Sequence, residues 1–137
     1  MTHRERTASM MLALAGGVFT IIGLSHMSVP DAMLSMHGLL LTTASAYSDV
    51  RAGYGGLYVS LGLVFLGGAA SSQMRELALL MLAAVTAGLA AGRLLSLALD
   101  GAPSWTAWIL LVIELGAAVA VASLVMWRRR LHGSLTV

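Results

Sequence analysis

Apolar residues run almost unbroken through four stretches of the chain, about 9–29, 51–72, 76–99 and 104–127, and the ionisable residues collect between them or near their ends. Each stretch is about 20 residues long, enough at ~1.5 Å per residue to cross a hydrocarbon layer of ~30 Å. The pattern predicts an all-α integral membrane bundle of four transmembrane helices. The first stretch follows His3-Arg4-Glu5-Arg6 and stops at Pro30. It outlasts the apolar core of a signal peptide and ends Ser25-His26-Met27-Ser28-Val29, with no small-residue cleavage site, so it reads as a retained span. The segment 30–48 holds Asp31, His37 and Leu39-Leu40-Leu41, a run too brief to cross. Met33, Met36 and Leu40 are spaced for a short interfacial amphipathic helix between helices one and two; an irregular loop is the competing reading. The connections Gln73-Met74-Arg75 and Asp100-Gly101-Ala102-Pro103 are short, which makes consecutive helices antiparallel neighbours. Gly101 and Pro103 stop helix three, and Ser104 is placed to cap helix four.

Composition agrees with this class. Of the residues, 58% are hydrophobic and 10% charged, against about 25% charged in soluble domains. Four spans consume most of the 137 residues and leave no room for a soluble domain, so any function sits in the membrane or at its surfaces. The net charge of +2 is explained by topology rather than by nucleic acid. All the basic residues are arginine, the usage of a GC-rich bacterial genome. Arg4, Arg6, Arg75 and Arg128–Arg129–Arg130 fall on one side, with Arg51 and Arg93 approaching the other. The positive-inside rule then makes both termini cytoplasmic in a bacterial inner membrane. Trp105 and Trp108 at one end of helix four and Trp127 at the other fit the aromatic belts. With no cysteine, disulfides, iron–sulfur clusters and thiolate metal sites are excluded.

The residues that matter are the charges kept within or beside the apolar runs. Arg93, Ser96 and Asp100 share one face near the outer end of helix three, and Arg51, Tyr54 and Tyr58 share one face of helix two. Glu114 lies between two and three turns below the start of helix four, about level with Arg93. A lone charge at such depth costs about 2.5–3.5 kcal/mol on insertion scales, so pairing is expected. Arg93 is expected to meet Glu114. Arg51 is expected to meet Asp49, Asp100 or Glu114, with Tyr54 bonding into the group and His26 joining from helix one.

Two readings of this cluster stand side by side: a structural clasp that fixes helix order, and a periplasm-facing pocket for an anionic or polar-headed lipophilic ligand gripped by the two guanidiniums. A small membrane enzyme acting on a lipid-like substrate is a further alternative, although no Ser/His/Asp order, HExxH or P-loop is present. No metal site and no cofactor are expected; the nine methionines are scattered, and His26 has no second histidine across the bundle to share a haem. Membrane lipids are the expected partners, with a homo-oligomer or a larger complex open. Gly88 and Gly92 form a GxxxG on helix three, read with Gly55 and Gly56 as helix-packing positions inside the bundle.

The segments Asp49-Val-Arg51-Ala-Gly-Tyr54-Gly55-Gly56 and Gly92-Arg93-Leu-Leu-Ser96-Leu-Ala-Leu-Asp100-Gly101-Ala-Pro103 resemble the bacterial membrane family known as domain of unknown function 4345. An RxxYGG-like start to the second span, a GRxxSxxxDGxP-like end to the third and an acidic residue in the fourth, here Glu114, carry the likeness. The resemblance implies a small four-helix inner-membrane protein and draws attention to the cluster without naming a reaction.

Overall fold

The computed structural model describes residues 3–133, with side chains described through Met126. The described residues form helices and connections only: α1 (His3–Ser28), α2 (Pro30–Ser35), α3 (Ala44–Val50), a π-helical segment (Arg51–Gly56), α4 (Leu57–Ala70), α5 (Arg75–Asp100) and α6 (Trp105–Gly133). Four helical stretches are long and apolar enough to cross a membrane: His3–Ser28, Ala44–Ala70, Arg75–Asp100 and Trp105–Met126. That is the composition of a multi-pass membrane protein. The side chains of Trp127 and Arg128–Arg130, on which part of the belt and charge argument rests, lie outside the described ones.

The second helical stretch begins earlier than the hydropathy pattern predicts. Thr43 caps it, its hydroxyl accepting from the Ala46 amide at 3.2 Å, so the helix starts at Ala44 and not near Asp49 or Arg51. The polar run Ala44–Asp49 is therefore helical, and Arg51 sits a full two turns inside. At Arg51 the helix widens into a π-helical turn that closes when the Leu57 amide donates to the Ala52 carbonyl. Between the first two long helices a short helix is formed, α2, ending at Ser35. The chain then turns at Gly38, whose φ of +74° suits a residue without a Cβ.

The described residues form two compact units, Met1–Arg75 and Glu76–Val137. In the first, α1 and α4 run antiparallel in a register fixed by small residues every seven positions. Ser9, Gly16 and Gly23 along α1 face Ala69, Gly62 and Gly55 in reverse order. The Ser9 hydroxyl donates to the Ala69 carbonyl at 2.6 Å. A Cβ at Gly16 would fall 2.9 Å from the Gly62 carbonyl oxygen, and one at Gly23 would fall 2.7 Å from the Val59 nitrogen. The backbones touch, and a seven-residue repeat keeps them touching through a left-handed crossing. Phe19 and Phe65, packed edge to face at 5.3 Å, fill the space beside this seam.

In the second unit the buried stripe of α5 is Leu79, Leu82, Thr86 and Ala90, and that of α6 is Leu111, Glu114, Val121 and Val125. Arg93 continues the α5 stripe at helical spacing. Gly88 and Gly92 each stand two residues beyond a buried position, about 200° around the helix. They are exposed, with nothing within 4 Å of an added Cβ. Within the second unit nothing packs closely on them; close approach occurs in the first unit, at Gly55, which was expected to pack, and at Gly16, Gly23 and Gly62. Gly56 has only the Arg51 carbonyl of its own helix nearby, at 3.7 Å. Gly101, at φ +92°, ends α5 in the left-handed conformation, and the Ser104 carbonyl accepts from Ala107 and Trp108 to start α6.

Candidate functional site

Two polar groups stand out, one in each unit. In the second unit the Arg93 Nε donates to Glu114 Oε2 at 2.8 Å, so the expected contact between helices three and four is formed. It is made through one nitrogen only. Among the described residues the two Nη groups of Arg93 make no hydrogen bond, and the side chain remains 32% exposed while that of Glu114 is 11% exposed. Ser96, three residues on, turns away from Arg93 and donates to Asp100 Oδ2 at 2.7 Å. Arg93 lies about 10 Å along the helix from Asp100, and Glu114 about 13 Å from the start of α6. Both are well inside apolar helices.

In the first unit Arg51, Tyr54, His26 and Tyr47 gather at the π-helical turn. The Arg51 Nε donates to the Met27 carbonyl at 3.2 Å, one of the last carbonyls of α1. Pro30 lacks an amide and breaks the helical ladder there, so a cation replaces the missing donors and meets the negative end of the helix dipole. The guanidinium carbon lies 5.7 Å from the centre of the Tyr47 ring, and the Tyr47 hydroxyl donates to Asp31 Oδ1 at 2.6 Å. Asp49 does not pair with Arg51. Two positions apart on a helix, the side chains point to opposite sides, and Asp49 stands exposed. His26 is buried; its Nδ1–H donates to the Ile22 carbonyl at 2.9 Å, which leaves Nε2 with the lone pair in the neutral ring. It stacks on Tyr54 at 5.6 Å, and Tyr58 in turn stacks on Phe19 at 5.2 Å.

Three features lie beyond what hydropathy and spacing display. The Asp31–Tyr47 bond links segments 16 residues apart, and its signal was a tyrosine in the segment 30–48, for which a short helix and a loop were both open. The π-helical turn is foreshadowed only by Gly53, Gly55 and Gly56 around Tyr54. Arg75, counted above for topology, is 3% exposed and spends its charge on the end of α4, with Nε donating to Gly68 and Nη2 to Ala69.

A shallow apolar groove of about 560 Å³ is lined by Trp105, Trp108, Ile109, Val112 and Ile113 of α6. Its face is turned away from Glu114, at ~100° per residue, so it offers acyl chains a surface but no polar group a partner. Among the described residues no cluster of three metal-ligating side chains occurs.

No curated protein and no solved structure matches the chain. The model of one family does, over residues 7–125, and that stretch contains both motifs, the Arg93–Glu114 pair and the π-helical turn. The chain belongs to the family described as domain of unknown function DUF4345.

Proposed function

We propose that the protein binds a polar-headed, anionic lipophilic ligand in the membrane, with the Nη edge of Arg93 as the gripping group. The observation that carries this is the single-nitrogen pairing of Arg93. Glu114 takes Nε and leaves four N–H donors with no partner among the described residues. Donors stranded within an apolar helix are costly, and a carboxylate or phosphate would take two of them in a forked pair. Glu114 fixes the guanidinium plane, and its charge offsets that of the arginine when the ligand is absent. By arginine placement the site opens to the periplasm, from an inner-membrane protein with cytoplasmic termini.

The structural clasp is the second reading, and Arg75 favours it, since that guanidinium is buried and donates only to backbone carbonyls of its own chain. One comparison separates the two. Arg93→Met alone strands Glu114 and is expected to destabilise, whereas Arg93→Met with Glu114→Leu removes both charges and restores stability. Native mass spectrometry of the full chain from mild detergent then reads the ligand. Retention of an anionic amphiphile by the wild type, reduced at least tenfold in the stable double variant, supports binding. A wild type that carries none, or a double variant that carries as much, leaves the clasp.

A further inference from the structure

Asp31, Tyr47 and Arg51, all in the first unit, form an arrangement that does not depend on Arg93. An arginine and an aspartate stand on either side of one tyrosine without joining in a salt bridge. Tyr47 holds them apart, its hydroxyl on Asp31 Oδ1 at 2.6 Å and its ring beneath the Arg51 guanidinium. The Met27 carbonyl takes the Arg51 Nε from the other direction. One tyrosine thus meets a carboxylate at its hydroxyl and a guanidinium at its ring, and each charge is held by that contact rather than by the other. Each end keeps unused capacity. Among the described residues the Nη groups of Arg51 and the second oxygen of Asp31 make no hydrogen bond, and both residues are exposed.

The three residues also stand beside the end of a helix long and apolar enough to cross a membrane, which is where a headgroup would meet them. They surround the end of α1, and the adjoining connection exposes Val29, Met36, Leu39 and Leu40, the last at 83%. Apolar side chains presented on a loop that joins two spans fit the acyl boundary of a bilayer.

We propose that Asp31, Tyr47 and Arg51 bind the headgroup of a zwitterionic phospholipid bearing a primary amine, with its phosphate on Arg51 and its ammonium on Asp31. The short carbon link between phosphate and ammonium sets two opposite charges apart as the tyrosine does. A primary ammonium donates hydrogen bonds to a carboxylate; a quaternary choline has no N–H to give. An anionic headgroup without an amine satisfies Arg51 but brings no cation to Asp31, whose charge is then met by neutral hydroxyls at most.

The test reconstitutes the full chain in nanodiscs of equal parts phosphatidylethanolamine, phosphatidylcholine and phosphatidylglycerol, and counts retained lipids by native mass spectrometry. Phosphatidylethanolamine is expected to exceed each of the others at least fivefold. Arg51→Gln abolishes the excess. Asp31→Asn, a change on an exposed short helix that leaves the α1 cap intact, keeps a bound phospholipid but reduces the preference over phosphatidylglycerol to below twofold. Millimolar glycerophosphoethanolamine, the headgroup without chains, is expected not to displace the lipid. Equal retention of the three lipids by the wild type, an unchanged preference in Asp31→Asn, or displacement by the soluble headgroup overturns the proposal. Headgroup selectivity read at Asp31 reports on this site alone and leaves the Arg93 reading to its own measurement.

Discussion

The arginines of this chain differ in what their guanidiniums have left to offer. Arg75 is buried and held at two points: two backbone carbonyls at the end of α4 accept from its Nε and Nη2, and the Ser9 hydroxyl shares the second of them. Its charge meets the negative end of a helix dipole in a buried place, where charged hydrogen bonds are worth more than at the surface. Arg75→Met is therefore expected to lower stability by about 2–3 kcal/mol, with Arg75→Lys losing roughly half of that, since an ammonium lacks the fork that spans Gly68 and Ala69. Unfolding in mild detergent followed by circular dichroism measures both. Arg93 has one of its five N–H donors paired, with Glu114, and this sets up a coupled prediction. Glu114→Leu on its own leaves the guanidinium without its partner and is expected to cost about 2 kcal/mol or more. The further change Arg93→Met should recover most of that loss, because a pair of charges removed together leaves nothing stranded. Additive losses in the double variant would show that the two side chains do not act as a pair.

At the scale of elements, the seam between α1 and α4 is the best-determined contact in the first unit. Gly23 meets backbone atoms on the facing helix, the Val59 nitrogen and the Gly55 oxygen, and backbone cannot step aside as a side chain can. Gly23→Ala is expected to destabilise by about 1–3 kcal/mol, the range for an overfilled interior. Gly88→Ala meets nothing within 4 Å and is expected to be neutral or to stabilise by up to about 1 kcal/mol through helix propensity. Thermal melts of the two variants side by side decide the matter. This contrast also marks where the sequence could be read and where it could not. The four long helices follow from hydropathy, and the approach of Arg93 to Glu114 follows from depth along two helices and the cost of an unpaired charge. Which glycine face is buried does not follow, because in a span the face toward lipid is as apolar as the face toward protein. Gly88-Leu-Ala-Ala-Gly92 looks like a contact and is exposed, while the seven-residue step from Gly16 to Gly23 carries the seam. The early start at Ala44 was hidden by its polar residues, which lower hydropathy without opposing a helix once Thr43 caps it. The π-helical turn was hidden because one extra residue in a turn leaves no mark on hydrophobic periodicity, and the glycines around Tyr54 are common in any membrane span.

At the scale of the whole molecule, the outstanding physical question is which face of the membrane each connection meets. If all four candidate spans cross, the start of α1 and the connection 71–74 are expected on one face and the connections 29–43 and 101–104 on the other. The proposed topology puts the first face in the cytoplasm, since transfer of the arginine charges across the bilayer is disfavoured while a cytoplasmic position near anionic headgroups is favoured. The absence of cysteine makes this directly measurable, as any thiol introduced is the only one present. Leu40→Cys, at a position 83% exposed, and Ala102→Cys are expected to react with a membrane-impermeant maleimide added to intact spheroplasts. His3→Cys and Gln73→Cys are expected to react only after permeabilisation. The reversed pattern would place the connections in the cytoplasm, and both the Arg93 edge and the Asp31–Tyr47–Arg51 set would then draw ligands from the inner leaflet. Labelling of His3→Cys together with Leu40→Cys from outside would mean that α1 does not cross. The seam with α4 argues against that result, because a helix joined to a spanning partner by backbone contact from Ser9 to Gly23 shares its depth along the whole of that length.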